Sequence, residues 1–108
     1  MSIYRPPEGE RVVHITSWSV REVGIKEIEE STRHLCGLVY QDGRVCSPIQ
    51  EFNPENMVFT TRSGKHYCVV GSPGSSMDSE YVWNRWCSIN GVDSFTDVTN
   101  EYLANPNT

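Results

Sequence analysis

The chain has 108 residues, 37% of them hydrophobic and 21% charged, with 14 acids against nine lysines and arginines for a formal charge of −5. That length supports one modest core and is too short for two. Nothing approaches ~18 consecutive apolar residues, which excludes a membrane-spanning helix. Met1 to Glu10 lacks the apolar stretch of a signal peptide, so the expected location is the cytoplasm.

The charge is uneven. Nine acids and eight bases precede His66, whereas from His66 onward Asp78, Glu80, Asp93, Asp97 and Glu101 face one base, Arg85. The C-terminal third is therefore negative, which opposes nonspecific nucleic-acid binding there and suits contact with a basic partner.

Residues 1–10, with Pro6-Pro7 and Gly9, read as a flexible arm ahead of a single domain over 11–103, and 104–108 as a polar tail. Arg11 to Val20 suits a first strand, marked by Val13, Ile15 and Trp18. Ser17 to Ser31 is compatible with helix through Glu22 and Lys26 to Glu30, and with strand through Val20, Val23 and Ile25. Gly24 favours a second strand or a hairpin.

From His34 to Gly71 the pattern is a run of short strands separated by turn signals. Asp42-Gly43, Asn53-Pro54-Glu55-Asn56 and Ser63-Gly64 divide runs rich in Val, Ile, Phe, Tyr, Thr and Cys. Two-residue turns at Asp42-Gly43 and Ser63-Gly64 pair Val39 with Cys46 and Phe59 with Cys68. The middle turn pairs Phe52 with Met57 and Gln50 with Phe59. One face then collects Leu35, Val39, Cys46, Phe52, Met57, Phe59, Cys68 and Val70; Leu38, Tyr40, Val45, Ile49, Val58, Tyr67 and Val69 fall on the other. Two apolar faces require a cover on both sides or closure towards a barrel. Pro48 suits a bulge or an edge.

After the loop Gly71–Ser76 comes a helix, expected over Tyr81–Ile89. Ser75 or Ser76 caps it, Asp78 and Glu80 favour its positive end, and Asn90-Gly91 stops it. Val82, Trp86 and Ile89, with Trp83 and Cys87 beside them, form its apolar stripe. A last helical turn is expected within Asp97–Leu103. The predicted fold is α+β: a curved antiparallel meander of about five strands, barrel-like, packed by one C-terminal helix.

Four cysteines without an export signal are expected to be buried, reduced thiols. His34-x-Cys36 and His66-x-Cys68 each offer two zinc ligands, but the expected register sets the pairs on opposite faces, so neither a metal nor any other cofactor is expected. A Cys68–His66 dyad would sit mid-strand, where packing is the ordinary role, so no catalytic residue is assigned and the chain reads as a non-enzyme. The Gly71–Ser76 loop lacks the lysine and the glycine spacing of a phosphate cradle. One basic group remains: Arg44, Arg62 and Lys65, with Tyr40 nearby, gathered at one end of the sheet by the first and third turns.

The residues Gly43-Arg44-Val45, then Thr61 to Gly74, then Glu80-Tyr81-Val82-Trp83, resemble a pattern in small uncharacterised bacterial proteins of phage, plasmid and genomic-island type, over residues 32 to 87. The resemblance implies no catalytic residues; such acidic proteins often act by binding host proteins. The expectation is a non-catalytic protein-binding accessory protein, monomeric or homodimeric, contacting its partner through Asp78, Glu80, Asp93, Asp97 and Glu101. The alternative is a weak nucleic-acid or nucleotide binder using Arg44, Arg62, Lys65 and Tyr40.

Overall fold

The computed structural model describes residues 12–25 and 30–103, so the arm at 1–10 and the tail at 104–108 lie outside the described residues. In chain order the elements are β1 (Val12–Ile25), β2 (Glu30–Val39), β3 (Asp42–Val45), β4 (Ile49–Asn53), β5 (Val58–Thr61), β6 (His66–Val69), α1 (Met77–Asn90), β7 (Phe95–Asp97) and a 3-10 turn at Thr99–Tyr102. The strands lie in the order β3-β2-β1-β6-β5-β4, and β7 pairs with β1 off that path. β1 and β6 run parallel; the other pairs are antiparallel. The fold is therefore α+β as expected, but the sheet is mixed and not a meander, because β1 is inserted between β2 and β6.

The expected curvature is present, without closure. β3 and β4 occupy the two ends of the strand path, yet only Cys46, Ser47 and Pro48 join them. A flat six-strand sheet would hold its edges about 24 Å apart at ~4.8 Å per strand. The link spans at most ~14 Å. The sheet must curl to bring the ends together, and it remains open rather than becoming a barrel.

The curl turns on β1. Its first four residues pair with β6, and from Thr16 onward it pairs with β2, with a bulge between Thr16 and Ser19 where Ser17 takes a left-handed φ of 47°. The extra residue keeps Ile15 and Trp18 on the same, inner face, where both are buried. Gly37 of β2 lies under this bend: a Cβ there would sit 2.6 Å from the Thr16 carbonyl oxygen, so the close approach needs glycine. Within 17–31 the described residues, 17–25 and 30–31, are strand, with β1 and β2 paired antiparallel; residues 26–29 lie outside the described residues.

Each expected turn register is corrected. The β2–β3 turn is Tyr40-Gln41, both left-handed at φ 50° and 70°, so Val39 pairs with Asp42 and not with Cys46. Gly43 serves packing instead, since a Cβ would meet the Asp78 carbonyl oxygen at 2.6 Å. Across β4–β5, Phe52 faces Phe59 rather than Met57, with a bulge at Gln50. The β5–β6 loop has three residues, Arg62 to Gly64, with Gly64 at φ 90°, so Phe59 faces Tyr67 rather than Cys68. That one-residue slip turns β6 over. Tyr67 and Val69 enter the inner core with Ile15, Trp18, Val20, Leu35, Val39, Cys46, Phe59 and Val98. Phe52 and Met57 join them as expected; Ile49, expected on the other face, joins as well.

α1 covers the outer face of β1–β3. It begins at Met77, four residues before the expected Tyr81, and ends at Asn90, one residue beyond Ile89. Ser76 caps it, Ser76 and Ser79 form a reciprocal capping pair, and Gly91 closes it at φ 68°. Trp83 is its anchor, packed with Val23 and Cys36 and flanked by Val45, Trp86, Cys87 and Val92. Ile89, expected in the buried stripe, is 76% exposed. The helix runs along β3, with Asp78 and Val82 over Gly43 and Trp86 against His34. Its N-terminus therefore lies at the end of the sheet that carries the Tyr40-Gln41 turn.

Candidate functional site

The helix–sheet interface is polar at its centre. Arg21, buried on β1, projects to the helix side, where Nη1 donates to Glu80 Oε1 at 3.1 Å and Nη2 to Glu80 Oε2. Its guanidinium lies 5.0 Å from the Trp83 ring centroid and 4.9 Å from that of Phe95. Burial opposes the charge, but the bond to Glu80 and the nearby Cys36, Glu80 and Asp97 outweigh it and raise the Arg21 pKa. Two buried N–H donors in this layer, Arg21 Nε and Trp83 Nε1, have no acceptor among the described residues. Each unmet donor costs about 1–3 kcal/mol.

Next along the interface, the buried His34 ring packs on Trp86 at 4.5 Å. Its Nδ1 lies 2.8 Å from the Cys46 carbonyl oxygen and its Nε2 2.7 Å from Thr32 Oγ1. A neutral ring satisfies both contacts, Nδ1–H donating to the carbonyl and Nε2 accepting from the hydroxyl. Burial is the main cause lowering the His34 pKa below 6.5.

The five C-terminal acids are held in different ways. Glu80 is bound to Arg21. Glu101 accepts from Arg33 Nη1 at 2.9 Å, in a network where Arg33 also donates to Glu22 and to the Tyr102 hydroxyl. Asp97 accepts the Thr99 backbone N–H at 2.9 Å. Asp93 is exposed on the loop after α1. Asp78 is exposed in the first turn of α1, beside Met77, which is 90% exposed, and one turn before Tyr81, which is 62% exposed. At the same end, the strained β2–β3 turn holds Tyr40 91% exposed, next to the exposed Asp42. Sequence reasoning found Asp78 but missed its apolar neighbours; the signal was Met77, Tyr81, Arg85 and Ile89 at spacing four, the stripe opposite Trp83.

Where β3 passes into β4 the β5–β6 turn lies close by: the Arg62 backbone N–H donates to the Pro48 carbonyl at 2.8 Å and Ser47 Oγ to Ser63 Oγ at 2.9 Å. Arg44 and Lys65 both act on the Cys46 thiol, and Arg62 acts on His34, whose ring holds the Cys46 carbonyl. Arg44 and Cys46 also flank the Tyr67 hydroxyl. Tyr40 is in the β2–β3 turn, on the strand end rather than on this corner.

The two His-x-Cys pairs are placed differently from expectation. His34 and Cys36 face Arg21 and Ser19 of β1, whereas His66 and Cys68 face Val12 and His14. With β6 turned over, both pairs share the outer side of the sheet, but they stand at opposite halves of β1. Among the described residues, no group of three or more His, Cys, Asp or Glu converges on one point. His66 Nδ1 instead meets Thr60 Oγ1 at 2.9 Å. The cysteines are free thiols. Burial pushes all four up, Cys46 to about 12, so none offers a ready thiolate at neutral pH.

No helix of the described residues is long and apolar enough to cross a membrane. No protein-family model, curated protein or solved structure matches the chain.

Proposed function

We propose that this chain is a non-catalytic protein-binding accessory protein of the mobile-element kind, acting on a host protein. Its contact surface is narrower than the five acids: Asp78 with Met77 and Tyr81 on α1, and Tyr40 with Asp42 on the adjoining turn. The observation that carries this reading is the exposure of Met77, Tyr81 and Tyr40 at one end of the sheet. Large apolar and tyrosine side chains are strong interface anchors. Tyr40 is held there in a left-handed conformation that costs about 1–3 kcal/mol, a cost that marks functional turns. The surrounding acids and the overall charge of −5 select a basic partner surface.

The test is recovery of a specific protein from host lysate on the immobilised chain. The expected result is a partner retained by the parent chain and by Glu101→Gln, and lost by Tyr81→Ala and Asp78→Asn. Retention by all four would remove this surface from the reading; recovery of no specific protein would remove the reading.

The convergence of Arg44, Arg62 and Lys65 on the Cys46 corner supports a second reading, a nucleotide or weak nucleic-acid site. Three cations fall short of the ~6–10 phosphate contacts of strongly binding proteins. Binding of an oligonucleotide that falls steeply with added salt, and is lost in Arg44→Ala, would favour it.

A further inference from the structure

The solvent side of α1 carries one continuous ridge. Met77, Tyr81, Arg85 and Ile89 recur every four residues on the face opposite Trp83, and all four are exposed. Methionine, tyrosine and arginine are the side chains in which protein interfaces are enriched. Arg85 is the one base that follows Lys65 in the sequence, and it makes no ion pair among the described residues. An unpaired cation thus stands beside an exposed tyrosine in the most acidic third of the chain.

The ridge is complementary to itself. Its midpoint is level with Trp83, so Tyr81 and Arg85 stand ~3 Å to either side of it along the helix axis, and Met77 and Ile89 ~9 Å. A two-fold axis through that midpoint sets a second α1 antiparallel to the first. Tyr81 of each copy then meets Arg85 of the other, and Met77 of each meets Ile89 of the other. A guanidinium stacks well on a tyrosine ring. Asp78, exposed three residues before Tyr81, faces the same incoming cation. A parallel pair would instead oppose Arg85 to Arg85 and Asp78 to Asp78, so charge selects the antiparallel arrangement.

We infer that α1 docks on α1 of a second copy of this chain, antiparallel and across a two-fold axis, in a reversible homodimer. One ridge of a 14-residue helix falls short of the ~1,200 Å² that stable complexes bury, so the dimer is transient. The inference does not rest on the host-protein reading, but it constrains it. Met77, Asp78 and Tyr81 lie in the dimer contact, so a host protein that uses them displaces the second copy.

The test is sedimentation equilibrium of the purified full chain over a concentration series, which involves no host protein. The parent chain should show a reversible monomer–dimer equilibrium. Tyr81→Arg opposes two arginines across the axis and should weaken the dimer at least ~tenfold, as like charges in contact do. The exchange Tyr81→Arg/Arg85→Tyr remakes both contacts with the partners reversed and should return the dimer to within a few-fold of the parent. Both positions are exposed, so the variants leave the core intact, and an unchanged circular dichroism spectrum checks it. A parent chain that stays monomeric to millimolar concentration, a dimer unchanged in Tyr81→Arg, or an exchange variant no tighter than Tyr81→Arg would each overturn the inference. Capture from lysate can fail while this dimer stands, and the reverse, so the two readings fall separately.

Discussion

The two faces of the curled sheet are built from different materials. The inner core, from Ile15 and Trp18 through Phe59 and Tyr67, is apolar, and the buried tryptophan within it donates its indole N–H to the Gly71 carbonyl at 3.1 Å. The outer layer under α1 holds a buried cation, a buried neutral histidine and two unmet donors. An apolar layer can be filled by many side chains of suitable volume, whereas a polar one must be satisfied group by group. The inner face therefore maintains the fold, and the outer layer is where stability has been given up.

The largest expected effect separates the tryptophans. Trp18→Ala should cost about 3–5 kcal/mol by denaturant unfolding, the ordinary loss for a buried aromatic. Trp83→Ala should cost less, because an unmet donor leaves with the ring. Equal losses would mean that the Trp83 N–H is satisfied. Next, Glu80→Gln should cost about 2–3 kcal/mol, somewhat below the value for a fully buried pair because Glu80 keeps 38% of its side chain exposed while Arg21 keeps 7%. Glu101→Gln, in the exposed Arg33 network, should cost under ~1 kcal/mol.

A pH titration should also divide the layers. The folded His34 pKa lies below its ordinary 6.5, so the unfolded chain takes up a proton first on acidification. The contribution of the neutral ring is complete above about pH 6.5 and falls below it, with a slope of up to ~1.4 kcal/mol per pH unit until the folded pKa is reached. His34→Gln should flatten that slope, and unfolding curves across mild acid would show it. The smallest effect is a gain. Tyr40→Gly should stabilise the chain by about 0.5–1 kcal/mol by relieving a left-handed turn, and no gain would mean that the turn is unstrained.

Much of this was legible because it depends on local pattern. The Ser76 cap and Gly91 stop announce α1, and alternation assigned most of the inner core correctly for β2 to β5. What failed was long-range or one residue wide. Asp42-Gly43 looks like a hairpin turn, yet Gly43 is small because α1 lies on it, a contact 35 residues distant from Asp78 in the chain. The choice of a three-residue β5–β6 loop over a two-residue one turned β6 over, and with it the face assigned to His66 and Cys68. The parallel pairing of β1 with β6 carries no local signal. For the candidate surfaces, charge was visible and pairing was not: Glu80 and Glu101 read as free acids but hold Arg21 and Arg33.

The central claim is that partners meet the outer, α1-side surface and not the basic corner. Its most direct measurement is the dissociation constant of the captured partner for two double variants, Tyr40→Ala/Tyr81→Ala and Arg44→Ala/Arg62→Ala. The tyrosine pair should weaken binding by at least ~30-fold, the effect of losing one interface hot spot, while the arginine pair leaves it within a few-fold. Strong loss from the arginine pair, with binding intact in the tyrosine pair, would contradict the account.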